Sequence, residues 1–292
     1  RILQSFFVIL HLPLDSTDKN ATDLYNVKKC PGICVMRRNY ANFAEIMAYY
    51  LTIDQGNTCV KVDIWDGNSD KIVASRTFDT LQVSDLKMLC NGHKPSASIY
   101  CTVSERDRII IESLASLTPH AVEMSVDMPM PVRIAYTTPR TLGLDRVAAA
   151  IGAYSLCKAN RDILVIDIGT AITYDIVSAD GIYRGGNIAP GVDMRLRALN
   201  HFTARLPLVT IDDTTDVPQW GTDTVSALRA GALEGVVGEI LHYRNNAGAG
   251  AHIVVTGGQA PLILRHLPFQ PITHPHLVSL GLYTILRYNF EQ

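Results

Sequence analysis

The sequence predicts an α/β protein in which one structural unit occurs twice. Two stretches carry this prediction: LTIDQGNTCVKVDIWDG at residues 51–67 and DILVIDIGTAITYDIVSADGIYRGGNIAPG at residues 162–191. In each stretch an apolar strand ends in Asp-x-Gly, and two further strands follow before helices and strands alternate. One such turn could arise by chance, but a repeat of the surrounding pattern favours a duplication.

The first copy begins with three short strands, predicted in YLTIDQ, CVKVDIW and KIVASRTF. Glycine and asparagine in the two links predict tight turns, so these strands form a meander rather than a βαβ unit. A helix near residues 84–91 and the strand SASIYCTV follow. Ser104 is the predicted N-cap of a helix in ERDRIIIESLASL, and the strand AVEMS ends the copy.

A helix in LGLDRVAAAIGAYSLCKAN, which is rich in alanine and free of proline, precedes the second copy. Three strands follow, in ILVIDI, ITYDIVSA and IYRGGNIA. Pro190 is predicted near the start of the helix PGVDMRLRALNHF, and a longer helix spans TDTVSALRAGALEGVVGEILHYRNN. The strand HIVVTGG and two helices, over residues 259–266 and 279–289, complete the prediction.

The first 47 residues lack the sustained periodic pattern of the rest. Their apolar start, RILQSFFVILHLPL, is interrupted well before it reaches membrane-spanning length. We predict that residues 1–47 form an extension outside the core fold, with a signal peptide as the alternative. Two domains are predicted to follow, over residues 48–140 and 141–292.

The composition argues against several classes of protein. The 292 residues are 47% apolar, which is enough for a sizeable core, and the net charge of −2 provides no basic excess for a nucleic-acid backbone. The six cysteines are too sparse for a disulfide framework, and no zinc-ligand spacing accompanies them. We therefore expect a reduced, cytoplasmic protein that binds a small ligand and has no nucleic-acid or membrane partner.

Each Asp-x-Gly turn combines groups that suit a phosphate and its metal ion. Glycine lets backbone N–H groups approach an anion closely, threonine adds a hydroxyl, and the aspartate can hold a cation. These residues are Asp54, Gly56 and Thr58 in the first turn and Asp167, Gly169 and Thr170 in the second. An ordinary hairpin with an aspartate cap is the alternative. The paired turns, with a third glycine turn in VVTGGQA at 254–260, predict a nucleotide clamp.

Other nucleotide-binding and hydrolytic motifs do not occur in the sequence. It has no GxxxxGK(S/T) and no GxGxxG after a first strand, so neither a P-loop nor a dinucleotide-binding fold is supported. HExxH, GxSxG and the protein-kinase signature set are missing as well. The clamp therefore has no competing motif.

Four stretches, taken together, resemble the type III pantothenate kinase family. They are DQGNTCVK (54–61), YTTPRTLGLDR (136–146), DIGTAITYDIVSADGIYRGGNIAPG (167–191) and LNHFTARLPLV (199–209). GTDTVSALRAG (221–231) and TGGQA (256–260) also fit. The resemblance implies two ribonuclease-H-like domains of the actin-like ATPase type, with mixed sheets and a cleft between them. It implies phosphorylation of pantothenate by ATP, the first step of coenzyme A biosynthesis, in a homodimer that needs Mg²⁺ and K⁺ or NH₄⁺.

The resemblance also assigns roles to individual residues. The ATP-binding residues would be Asp54, Gln55, Gly56, Asn57, Thr58, Lys61 and Thr170. The pantothenate pocket would contain Tyr136, Gly143, Leu144, Asp145, Arg146 and Thr224. Asp145 would be the general base, Asp167 would hold the monovalent cation, and Asp54 would lie at the Mg²⁺.

The residue types suit these roles, although each has a plainer alternative. An alcohol is a weak acid, so a carboxylate within hydrogen-bond reach must accept its proton. Asp145 could instead be a first-turn acid that complements the helix dipole. Arg146 could be a surface charge, and Tyr136 could be a half-buried core aromatic.

Some positions depart from the family pattern. Gln55 replaces a more common aliphatic residue, Thr137 and Thr138 replace a more usual acidic residue and asparagine, and Leu144 replaces alanine. No charged chemical group of the proposed reaction is lost. A non-catalytic accessory or regulatory binding protein and an actin- or Hsp70-like ATPase are the alternative functions, but both acidic turns and Asp145 are intact.

Overall fold

The computed structural model describes residues 49–158 and 160–291, which form two mixed β-sheets and seven α-helices. The predicted extension, residues 1–47, lies outside the described residues. The strands are β1 Tyr49–Gln55, β2 Val60–Asp66, β3 Lys71–Phe78, β4 Ala97–Thr102, β5 His120–Glu123, β6 Arg133–Ile134, β7 Ile163–Ile168, β8 Ala171–Val177, β9 Ile182–Pro190, β10 His252–Thr256 and β11 Ile272–Thr273. The helices are α1 Val83–Cys90, α2 Arg108–Leu117, α3 Leu144–Cys157, α4 Val192–Phe202, α5 Thr224–Ala247, α6 Ala260–Leu264 and α7 Leu277–Phe290.

The two sheets share one topology. The first has the order β3-β2-β1-β4-β5, and the second has β9-β8-β7-β10-β11 with β6 added at the β9 edge. In both, the first three strands are antiparallel, and the first strand is parallel to the fourth. The predicted duplication and α/β fold class are confirmed: the chain has two ribonuclease-H-like units with the same strand order and strand directions.

Both acidic turns are hairpins between the first and second strands of their sheets. In the first, Asp54 is the register partner of Lys61, and the Gly56 N–H donates to the Cys59 carbonyl at 3.0 Å. In the second, the Gly169 N–H donates to the Ala171 carbonyl at 3.1 Å. The aspartates therefore stand at equivalent strand ends.

Helices α3 and α7 pack against each other at backbone contact. A Cβ on Gly152 of α3 would lie 2.3 Å from the Leu277 carbonyl oxygen, and one on Gly281 of α7 would lie 1.8 Å from that of Ala148. The hydrophobic core around this crossing contains side chains from both sheets, such as Ile99 and Val165. Small residues therefore place the helix pair between the sheets and fix the start of α3.

Two local predictions are wrong. Ser104 does not cap α2: Asp107 does, because its carboxylate accepts hydrogen bonds from the backbone N–H groups of Ile109 and Ile110. Pro190 does not begin α4 but ends β9, and α4 starts after Gly191. An extended strand uses the fixed proline φ as readily as a helix start does.

Two short strands were not predicted. Arg133–Ile134 and Ile272–Thr273 each have only two residues, too few for a periodic pattern. The first lies before the predicted domain boundary at residue 140, yet it pairs with β9 of the second sheet. The division into domains at 48–140 and 141–292 stays a prediction. None of the helices in the described part is long and apolar enough to cross a membrane.

Candidate active site

The two hairpins meet in space. The hydroxyls of Thr58 and Thr170 lie 3.1 Å apart and share a hydrogen bond, and both side chains are exposed at the rim of the cleft. These residues are 112 positions apart in the chain. The duplicated turns therefore form one site with two walls.

Three carboxylates lie within each other's electrostatic field at this site. Removal from water raises the pKa of Asp54 to about 7, Lys61 opposes the shift, and the charges of Asp145 and Asp167 add to it. Removal from water likewise raises the pKa of Asp167 to about 6, against the opposing charge of Lys61. A bound cation would favour the charged forms of these carboxylates, which burial disfavours.

The second hairpin is enclosed by two other elements. Gly257, directly after β10, has φ +102°, and a Cβ there would lie 2.5 Å from Oδ1 of Asp167. Gly191, the N-cap of α4, donates its N–H to the Thr170 carbonyl at 3.0 Å. The amino end of α4 thus lies against the hairpin, where its partial positive charge favours an anion.

Asp145 lies in the first turn of α3, as predicted. Its Oδ1 accepts a hydrogen bond from the Arg146 backbone N–H at 2.8 Å, and a Cβ on Gly143 would lie 2.6 Å from the same oxygen. Burial raises the pKa of Asp145, while the Arg146 N–H opposes the shift. A partly exposed carboxylate with a raised pKa can accept a proton from a substrate alcohol.

Arg146 is buried in an ion pair instead of lying free in the pocket. Its side chain is 6% exposed, and its Nε and Nη2 donate to the carboxylate of Asp175, the shortest contact being 2.6 Å. The Tyr183 hydroxyl donates to the same carboxylate at 2.7 Å. Sequence reasoning missed both partners. The available signal was an aspartate inside an apolar strand, TYDIV.

Gln55 is held by protein groups on both ends of its side-chain amide. Its Oε1 accepts from the Tyr100 hydroxyl at 2.6 Å, and its Nε2 donates to Oγ of Ser104 at 3.0 Å and to the Glu105 carbonyl at 3.1 Å. These bonds tie the first hairpin to the segment after β4. They account for a polar residue where the family usually has an aliphatic one.

The other predicted site residues fall into three places. Asn57 is exposed on the first hairpin beside the threonine contact. Tyr136 packs close to Gly185, where a Cβ would lie 3.1 Å from its ring, and Leu144 is half-buried at the start of α3. Thr224 is exposed at the start of α5, and no hydrogen bond or ion pair among the described residues joins it to Asp145.

A cavity of about 270 Å³ opens beside the clamp. It is lined by Lys61, Ser75, Thr77, Gly257, Gly258, Pro261, Pro275 and His276. A larger cavity, of about 500 Å³, lies beside the start of β10 between Arg244 and Phe269. The smaller cavity is the one beside the hairpins, because its lining residue Lys61 is the register partner of Asp54 and its Gly257 lies against Asp167.

The donor set suits hard cations more than a transition metal. No group of three or more histidine, cysteine, aspartate or glutamate side chains in the described part could hold a metal ion by itself. Mg²⁺ is commonly held by one or two carboxylates together with substrate phosphates. Asp54 and Asp167 fit that pattern, because burial disfavours their charged forms and a bound cation would offset this effect.

The family model of type III pantothenate kinases matches residues 50–246. A type III pantothenate kinase of Azobacteroides pseudotrichonymphae is 38% identical over 243 residues, which is 82% of this chain and 96% of the relative. One of Porphyromonas gingivalis is 38% identical over 247 residues, which is 83% of this chain and 100% of the relative.

Solved structures agree on the fold. A Campylobacter jejuni protein described as a Baf family transcriptional activator has a TM-score of 0.56 and 21% identity, over 83% of this chain and 100% of its own. A Sinorhizobium meliloti protein described as a 2-dehydro-3-deoxygalactonokinase has a TM-score of 0.50 and 14% identity, over 84% and 100%. At these identities the likeness concerns the fold alone.

Proposed function

Because the chain belongs to the type III pantothenate kinase family, it is an ATP-dependent pantothenate kinase, and we propose that the paired hairpins and Asp145 carry this reaction. The observation that carries the proposal is the 3.1 Å contact between Thr58 and Thr170, because it joins the two walls of one cleft. Asp145 lies within the electrostatic field of both hairpin aspartates.

The phosphates of ATP bind between the hairpins. Their backbone N–H groups, the two threonine hydroxyls and the amino end of α4 donate to the phosphate oxygens. Lys61, the register partner of Asp54, neutralises part of the phosphate charge. The residues proposed to bind ATP are Asp54, Gly56, Asn57, Thr58, Lys61 and Thr170, with Gln55 positioning the first hairpin through its side-chain hydrogen bonds.

Asp145 accepts the proton of the pantothenate hydroxyl. As the proton moves to the Asp145 carboxylate, the hydroxyl oxygen bonds to the γ-phosphorus, the bond from that phosphorus to the β–γ bridging oxygen breaks, and ADP leaves. Gly143 keeps space open at the carboxylate, because a Cβ there would collide with it. Arg146 has a positioning role, because its ion pair with Asp175 holds the first turn of α3 in place.

Tyr136, Leu144 and Thr224 complete the proposed pantothenate pocket. Tyr136 is half-buried beside Gly185, Leu144 is half-buried next to Asp145 in the chain, and Thr224 is exposed at the start of α5. An exposed substrate-binding residue suits a pocket completed by a second copy of the chain. Thr224 would then serve the pocket of the partner.

Two cations belong to the proposed site. Asp54 would hold Mg²⁺ and Asp167 the monovalent cation, K⁺ or NH₄⁺. Bound cations would offset the charge that develops on the phosphate oxygens during transfer. The chain's own contribution is to hold the two carboxylates at fixed strand ends.

An exposed apolar region supports a homodimer. Seven of the thirteen exposed large hydrophobic side chains among the described residues lie within residues 188–225, and Phe202 and Trp220 are more than 80% exposed. Large apolar side chains exposed to solvent are candidates for burial in a protein–protein interface. We propose that this region pairs two copies of the chain, and that the dimer works in the cytoplasm.

Release of ADP with and without pantothenate tests the function. A kinase releases ADP at an appreciable rate only when pantothenate is present, with one phosphopantothenate formed per ADP. Equal turnover without pantothenate would indicate an actin- or Hsp70-like ATPase. No turnover under either condition, with nucleotide bound, would indicate a binding protein.

A further inference from the structure

A hydrogen-bonded aspartate–histidine pair lies at the wall of the 270 Å³ cavity and has no role in the reaction described so far. Asp63 on β2 is 1% exposed, and its Oδ2 accepts a hydrogen bond from Nδ1 of His276 at 3.0 Å. His276, just before α7, is 34% exposed and lines the 270 Å³ cavity with Lys61.

The hydrogen bond to Asp63 uses Nδ1 of His276 and leaves Nε2 for a ligand in the cavity. A carboxylate removed from water is costly unless a cation pairs with it, and Oδ1 of Asp63 has no partner among the described atoms. Nδ1 of His276 is used by Asp63, so Nε2 is the ring nitrogen that remains to meet a ligand in the cavity. The imidazole of His276 provides no cap for α7, so the helix does not account for it.

The charged groups around His276 favour an anion in the cavity. Lys61 on β2 adds a positive charge, and no carboxylate is among the residues that line the cavity. Burial, with a smaller contribution from His276, lowers the pKa of His274 on the segment between β11 and α7, while Asp63 opposes the shift. Asp63 is the acidic neighbour, and it is used in orienting the imidazole.

We propose that His276, oriented by Asp63, binds a phosphate group of the nucleotide beside Lys61. This assignment rests on the proposed function in one respect, the binding of ATP in this cleft. The cavity joins β2 and β3 of the first sheet to the Gly257–Gly258 turn and the start of α7. A ligand there would touch both units. Lys61 would contact it from the first unit and His276 from the second.

Displacement of a fluorescent ADP analogue, measured without pantothenate, tests the assignment. The competitors are ADP and inorganic tripolyphosphate, and the proteins are wild type, His276→Gln, His276→Arg and the distant control His242→Gln. We expect His276→Gln to weaken both competitors by about ten-fold, as loss of one charge-assisted hydrogen bond predicts. His276→Arg should restore most of the affinity, and His242→Gln should match wild type.

Asp63→Asn provides a second test through the positioning residue. We expect Asp63→Asn to lower the affinity for both ADP and tripolyphosphate, as His276→Gln does. If His276→Gln fails to fold, Asp63→Asn serves as the test of the assignment. Unchanged affinity in His276→Gln, or in a folded Asp63→Asn, would overturn the assignment. Loss for ADP alone, with tripolyphosphate unaffected, would also overturn it, because the contact would then be to the nucleoside.

These experiments distinguish an error in the role of His276 from an error in the proposed kinase function. Wild-type chain that binds ADP while His276→Gln binds it equally well contradicts the role of His276 and leaves the kinase standing. Turnover independent of pantothenate contradicts the kinase, yet the affinity change in His276→Gln would still support the phosphate contact.

Discussion

Asp145 is the residue on which the proposed proton transfer depends most. Asp145→Asn keeps the shape of the side chain but removes the proton acceptor, so we expect kcat to fall by about 10²–10⁴ while ADP affinity changes little. Asp213→Asn, in an exposed loop, is the matched control. Equal loss of ADP affinity and kcat in Asp145→Asn would indicate that this carboxylate supports the fold instead.

Ionisation of the buried Asp54 carboxyl lowers the stability of the ligand-free protein in a pH-dependent way. Its pKa is about 7 in the fold against 3.8 ordinarily, mainly because burial disfavours the charged form. A raised carboxyl pKa destabilises the fold as the group ionises, so stability falls as pH rises from about 4 to about 7. Asp54→Asn should therefore be more stable than wild type at pH 8 without cations, by on the order of 1–4 kcal/mol in the free energy of unfolding, and should unfold at a higher temperature.

The two proteins should converge below about pH 4, where Asp54 becomes protonated in the unfolded state as well as in the folded state. Thermal unfolding across this pH range, without Mg²⁺ or nucleotide, measures the difference. A gap that widens toward acid pH would mean that the Asp54 charge stabilises the empty cleft.

Individual contacts show where sequence reasoning reached its limit. Asp54, Asp145 and Asp167 could be chosen from the sequence because each stands in a local turn or helix start. The partners of Arg146 could not, because Asp175 lies 29 positions away, on a strand of the second sheet. The hydrogen bonds of Gln55 likewise reach residues about 50 positions on, and no local pattern predicts them.

The crossing of α3 and α7 is the element-scale feature that fixes Asp145. Gly281→Ala would place a methyl group 1.8 Å from the Ala148 carbonyl oxygen, so the helices must separate. We expect a loss of about 2–4 kcal/mol in the free energy of unfolding and a matching loss of activity. Urea unfolding of the variant and wild type measures this.

Gly231→Ala is the matched control, because it is an exposed position inside α5 with no atom within 4 Å of the new Cβ. Alanine favours a helix over glycine, so this variant should gain about 0.5–1 kcal/mol. Similar stabilities for the two variants would show that α3 and α7 do not approach as closely as described.

Whole elements were more predictable than their ends. The three-strand meanders and the long α5 follow from periodicity and turn residues, and they lie close to where the sequence places them. The N-cap of α2 and the start of α4 were misplaced because serine, aspartate, proline and glycine occur together there, and tertiary packing selects among them. Strands of two residues have no periodicity to detect.

At the scale of the whole molecule, the apolar region of residues 188–225 predicts assembly. Phe202→Glu with Trp220→Glu places charges on the proposed interface, so we expect the dimer to dissociate and activity to fall as Thr224 leaves the partner's pocket. Sedimentation velocity measures the state of assembly. Met88→Glu, at an exposed apolar residue on α1, is the control. A wild-type chain that is monomeric and fully active would contradict the dimer.

The duplicated sheets matter because two equivalent strand ends converge on one ligand, while α3 brings a third carboxylate to the acceptor. A crystal structure with a non-hydrolysable ATP analogue and pantothenate tests this arrangement most directly. We expect the β- and γ-phosphates to lie between Gly56–Thr58 and Gly169–Thr170, with the pantothenate hydroxyl within hydrogen-bond reach of Asp145. A triphosphate that contacts one hairpin alone, or a hydroxyl remote from Asp145, would contradict it.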